Sequence, residues 1–160
     1  MGRTMAKFGL AALGWSLAIL AAPARAQVEE GPYWASIRAE KVNMRVGPAE
    51  TYPIDWVYRR PQLPLRVMRR EEGWRLVEDP DGSRGWVLGR FLARERTAIV
   101  IGRGLAAMHV SDEPGSPVEW RLEPGVIGTL GDCEDGWCRL AVGERTGYVR
   151  ADRLWGDGEP

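Results

Sequence analysis

Apolar and polar positions alternate in short runs through most of this chain and do not settle into a helical period anywhere beyond Ala26. Val42, Met44 and Val46 alternate with polar neighbours, and IDWVY, LRVM, WRLVED and GWVLG follow, separated by GPAETYP, RRPQLP, REEG and PDGS. The later part reads the same way, as MHV, VEWRL, VIGTL, WCRLAV and GYVRA. Short runs between Gly, Pro and Asp turns predict an all-β barrel or sandwich. The exception is the amino terminus. There an uncharged run, FGLAALGWSLAILAA (residues 8–22), follows Arg3 and Lys7 and precedes the small-residue triplet Ala24-Arg25-Ala26. The run is short for a membrane span. The pattern predicts a signal peptide over residues 1–26, cleaved after Ala26, on a chain exported to the periplasm or cell envelope with no stable membrane span thereafter. An uncleaved amino-terminal anchor is the alternative.

The β pattern occurs twice. Met44, Pro53 and Trp56 recur at one constant offset as Met108, Pro117 and Trp120. Gly73-Trp74 recurs as Gly136-Trp137, and Gly85-Trp86-Val87 with Leu92 recurs as Gly147-Tyr148-Val149 with Leu154. The offset shrinks by single residues at turn-like places, as expected when deletions fall in loops. The predicted organisation is a linker at 27–33, one copy at 34–96, a second at 97–156 and a tail at 157–160. Copies of about 60 residues bury a thin core, so each is expected to rely on the other.

In the first copy, the run VNMRVGPAETYP, then an apolar strand, then EGWRLV, DG and RGWVLGRFL resembles a bacterial SH3-like domain. The family pattern is an N-x-R-x-G-P-x-x-x-Y-P opening, a central G-W-x-x-V and a closing G-W-V. It is matched here by Asn43, Arg45, Gly47, Pro48, Tyr52 and Pro53, by Gly73, Trp74 and Val77, and by Gly85, Trp86 and Val87. The second copy keeps the later parts but has His109, Ser111, Asp112 and Ser116 in place of Arg45, Gly47, Pro48 and Tyr52. It is a degenerate copy. The resemblance implies two tandem small SH3-like β-barrels of five strands each. It also implies a binding role, since such barrels direct wall hydrolases to peptidoglycan or serve as protein-interaction modules.

Charge and chemistry narrow the function further. Without the signal peptide the chain carries 19 basic and 22 acidic residues, a balance that gives no support to nucleic-acid binding. The first copy holds 13 basic and 9 acidic residues and the second 6 and 9. Arg59, Arg60, Arg66, Arg69 and Arg70 crowd the middle of the first, either as an anion-facing surface or as a face turned toward the acidic copy. Strand parity places Cys138, Leu140 and Val142 on one face and Trp137 on the other, with Val149 inward and Tyr148 outward. Trp74 with Trp86, and Trp137 with Tyr148, are therefore candidate outward aromatic platforms, joined as candidate ligand contacts by Tyr52 and Trp56. The alternative is that these rings cover the barrel wall or pack the copies together, since Trp is highly buried on average.

A single histidine, His109, and two cysteines leave no third orienting group for a catalytic dyad, and C-x4-C without a second pair is not zinc spacing. No catalytic residue, metal site or cofactor is predicted. Cys133 and Cys138 flank a four-residue turn at the place of Arg70 and Arg75 in the first copy, and in an exported chain they are expected to form a disulfide. The expected activity is that of an exported, non-enzymatic binding module with peptidoglycan as partner. A periplasmic protein partner and a structural, self-associating role are the alternatives.

Overall fold

The computed structural model describes residues 1–2 and 31–160. The expected signal peptide and its cleavage site lie outside these residues, apart from Met1 and Gly2. The protein is all-β, with two seven-stranded sheets that share one strand order; this confirms two tandem SH3-like barrels but gives each seven strands where five were expected. The first contains β1 (Tyr33–Ile37), β2 (Val42–Arg45), β3 (Ile54–Tyr58), β4 (Pro64–Glu71), β5 (Trp74–Glu78), β6 (Arg84–Leu88) and β7 (Leu92–Ala93). The second contains β8 (Thr97–Val100), β9 (Ala106–His109), β10 (Val118–Leu122), β11 (Ile127–Glu134), β12 (Trp137–Val142), β13 (Arg145–Arg150) and β14 (Leu154–Trp155). The spatial order β3-β2-β6-β5-β4-β1-β7 is repeated as β10-β9-β13-β12-β11-β8-β14. A 3₁₀ turn precedes the last strand of each copy, at Gly89–Phe91 and Ala151–Arg153.

The alternation read from the sequence is the core pattern. Val42, Met44, Val67, Val77 and Val87 fill the first barrel, and Met108, Leu130, Cys138, Leu140 and Val149 the second. Val46 does not continue the inward row. The strand ends at Arg45, where a bulge shifts the register against β3, and Val46 is exposed. Close approach of β2 to β6 requires a glycine in both copies. A Cβ at Gly85 would lie 2.5 Å from Met44 Cγ, and one at Gly147 2.6 Å from Met108 Cγ.

Strands β1 and β8 do not stand out in the pattern, because YWASI and TAIV carry little alternation: four consecutive residues are buried in each. They build the joint. Ile99, on β8 of the second copy, is buried in the core of the first, with Ile101, Ile127 and Trp155 packed against the same cluster. The Thr97 hydroxyl donates to the Gln62 carbonyl at 2.8 Å, and an Arg60 guanidinium N–H donates to the Gly125 carbonyl. Trp34 meets Trp155 edge-to-face at 4.8 Å and donates its indole N–H to the Gly158 carbonyl at 3.1 Å. The two barrels thus share apolar packing as well as chain.

The cysteines are joined as expected. Cys133 and Cys138 are cross-strand partners on β11 and β12 and form a disulfide, in the register that Arg70 and Arg75 occupy on β4 and β5. The turn between them places Asp135 and Gly136 at φ 48° and 78°, the left-handed pair that Asp-Gly supplies at least cost.

Two outcomes follow. Ile99→Ala should cost about 3 kcal/mol and shift both copies together in a denaturant titration, because the cavity opens in the core of the neighbouring barrel; independent unfolding of the copies would contradict a shared core. Reduction, or the pair Cys133→Ser with Cys138→Ala, should lower stability by about 2 kcal/mol, measured as a shift in the denaturation midpoint.

Candidate functional site

The loop between β2 and β3 is held by a clasp from the base of the barrel. Arg45 Nη1 donates to the Tyr52 carbonyl at 2.6 Å, and the Tyr52 ring lies over Gly47, where a Cβ would come within 2.7 Å of it. Arg45 and Gly47 are therefore structural, and any side chain at 47 would displace Tyr52. The second copy rebuilds the clasp with different chemistry. His109 stands at the position of Arg45, and its Nδ1–H donates at 2.8 Å to the carbonyl of Ser116, the equivalent of Tyr52. The Ser116 hydroxyl oxygen also accepts the Ser111 N–H at 2.9 Å. The lost motif residues have been replaced with the loop connection kept.

Each clasped loop carries an exposed apolar face. In the first copy it comprises Val46, Tyr52, Ile54 and Trp56, and in the second Val110, Val118 and Trp120. Val46, Ile54 and Trp56 correspond to Val110, Val118 and Trp120, and Ser116 stands in place of Tyr52. Trp56 lies opposite Met44 in the β2–β3 ladder, and Trp120 lies opposite Met108 in β9–β10, with a register shift next to each pair. Each tryptophan thus points to the core side of its sheet. Both sit on edge strands, with no further strand beyond them, and remain 59% and 38% exposed. Arg145 lies over the Trp120 ring at 3.9 Å and accounts for part of the difference.

The expected platforms are not available to a ligand. Trp74, Trp86 and Trp137 are only 8%, 6% and 8% exposed. None of the three belongs to either core cluster, and the outer face on which they lie is itself covered. The Arg69 guanidinium lies 5.0 Å from the Trp86 ring, while Trp137 is covered by Arg150 and by the edge of His109. Long cationic side chains laid over rings bury them without making them core residues. Tyr148 is half-buried and pairs across the sheet with Arg139 and His109, and among the described residues no ring contact joins it to Trp137 or joins Trp74 to Trp86. Of the sequence candidates, only Tyr52 and Trp56 are exposed. Trp120 is absent from those candidates, although the repeat already aligned it with Trp56.

Behind Trp56 a cleft of about 730 Å³ opens along the joint. Tyr58, Arg59, Asp79 and Asp81 line it from the first copy, and Ile99, Ile101 and Gly125 from the second. Its buried carboxylate is fully engaged. Asp79 Oδ1 accepts the backbone N–H groups of Asp81 and Ser83 at 3.0 and 2.9 Å, and Oδ2 accepts the Tyr58 hydroxyl at 3.0 Å. Burial, reinforced by the Asp79 charge, pushes the Tyr58 hydroxyl well above the ordinary phenol range, so it stays a donor. The arginine-rich stretch is mostly spent on contacts within the protein: Arg60 on Gly125 across the joint, Arg66 on Glu78, Arg69 on Glu71 and Trp86, and Arg70 on the Tyr33 ring. Arg59 makes no such contact among the described residues. Nor do those residues contain a group of three or more His, Cys, Asp or Glu suited to a metal ion, or a helix long and apolar enough to cross a membrane.

Comparison with family models agrees with this construction. A model described as a bacterial SH3 domain matches twice, at residues 38–92 and 105–156. No curated protein matches the chain. Among solved structures it is similar to NlpC2 from Trichomonas vaginalis, at 12% identity and TM-score 0.37 over 80% of this chain and 49% of that one. It is also similar to NlpC1 from the same organism, at 14% identity and TM-score 0.37 over 89% and 53%. The chain spans about half the length of each. The two family matches cover most of the described residues and fall one on each sheet, so the chain belongs to the bacterial SH3 domain family and carries two copies of it in tandem.

Proposed function

We propose that this chain is an exported, non-enzymatic binding module of the cell envelope that grips peptidoglycan through the exposed faces around Trp56 and Trp120. The observation that carries the reading is the recurrence of one exposed tryptophan at the same register position of both copies. An isolated exposed ring needs no explanation. Two at equivalent edge positions, fixed relative to one another by a shared core, suit a ligand whose chemistry repeats along its length. Membership of the bacterial SH3 family supports a binding role, and the amino-terminal pattern ending at Ala26 supports export.

A non-enzymatic reading is supported by the condition of the reactive side chains. Both cysteines are consumed in the disulfide, and His109 Nδ1 is committed to the Ser116 carbonyl, so neither thiol is available for activation by an imidazole.

Co-sedimentation with purified peptidoglycan at low salt tests this. The intact chain should pellet. Trp56→Ala and Trp120→Ala should each weaken binding by at least about tenfold, and the double variant should remain in solution. Both positions are exposed, so the thermal midpoint should change little. A chain that does not pellet but recovers a protein in a pull-down would favour the adaptor role, and pelleting of the double variant at the level of the parent would remove these faces as the site.

A further inference from the structure

The joint cleft has a chemistry of its own, distinct from the apolar faces. Its charged groups are two cations, Arg59 and Arg60, and two carboxylates, Asp79 and Asp81. One of each sign is already committed. Arg60 holds the Gly125 carbonyl across the joint, and Asp79 accepts three hydrogen bonds. The remaining pair, Arg59 and Asp81, is exposed, and neither side chain forms an ion pair or hydrogen bond among the described residues. They do not neutralise each other. Asp55, Asp79 and Asp81 all act electrostatically on the Tyr58 hydroxyl, which lines the cleft. Trp56, with its face open, stands at the rim, and Ile99 and Ile101 supply apolar lining from the second copy.

We infer that this cleft binds a short zwitterionic peptide, with its carboxylate on Arg59, its ammonium at Asp81 beside the Trp56 ring, and its side chains against Ile99 and Ile101. Arginine suits a carboxylate because its planar fork offers parallel donors, and an ammonium is drawn both to a carboxylate and to an indole face. A cleft of about 730 Å³ lies within the usual size of small-ligand sites and accommodates roughly two or three amino-acid residues. A purely anionic ligand would leave Asp81 without a countercharge. A neutral sugar could hydrogen-bond to both free groups but would supply neither with a countercharge. The site exists only in the tandem, since its walls come from both copies.

This inference shares Trp56 with the peptidoglycan reading and names the ligand chemistry of the joint, the peptide portion in preference to the glycan. It is tested without any polymer. Unblocked dialanine is titrated into the full chain, with the backbone amide resonances of Ile99, Ile101 and Gly125 as the readout, alongside N-acetylated and C-amidated dialanine. Saturable shifts are expected with the unblocked peptide, and each blocking group should weaken binding by about tenfold. Arg59→Gln should remove the sensitivity to amidation and keep that to acetylation, and Asp81→Asn should do the converse. Absence of shifts up to ~10 mM peptide, or equal affinity of blocked and unblocked forms, would overturn the inference. Failure of the chain to pellet with peptidoglycan would leave it standing, and its own failure would leave polymer binding at Trp56 and Trp120 intact.

Discussion

Ile99 belongs by sequence to the second barrel and by packing to the first, and the rest of the molecule depends on that exchange. A β-barrel of about 60 residues buries too small a fraction of its surface to be comfortably stable by itself. Lending a strand residue across the joint enlarges the first core without lengthening either copy. The Thr97 and Arg60 hydrogen bonds to the carbonyls of Gln62 and Gly125 then satisfy polar groups that this approach would otherwise desolvate. The joint therefore fixes the separation of the two exposed tryptophans and gives the cleft its second wall.

The same economy separates the structural aromatics from the exposed ones. Trp74, Trp86 and Trp137 sit on central strands, where neighbouring strands on both sides supply side chains to cover them. Trp56 and Trp120 sit on the last strand of each sheet, where the row of neighbours ends. Their exposure is thus a property of sheet order, preserved while the loop next to them changed from an arginine clasp to a histidine clasp. Pro53 and Pro117, with the bulge beside each tryptophan, also blunt these edges against pairing with another strand.

The sequence made the fold legible because its repeat and its turn residues are local signals. The cross-strand equivalence of Cys133–Cys138 with Arg70–Arg75 followed from Gly73-Trp74 and Gly136-Trp137 alone. Strands β1 and β8 escaped because burial on both faces erases alternation, and that burial is what makes them the joint. The site was only partly legible. Parity tells which way Trp86 points from the core, but whether Arg69 then lies over it depends on rotamers and on strands distant in sequence. Edge position, which decides the exposure of Trp56 and Trp120, is a property of the sheet order and cannot be read from one strand. The cleft was out of reach for the same reason, since Arg59 and Ile99 meet only after the copies dock.

The most direct test of this division of labour is the set of tryptophan indole N–H resonances recorded as soluble peptidoglycan fragments are added. The signals of Trp56 and Trp120 should shift in a saturable manner while those of Trp74, Trp86 and Trp137 stay in place. Shifts confined to the buried three, or none at all, would contradict the assignment of the edge tryptophans as the binding face.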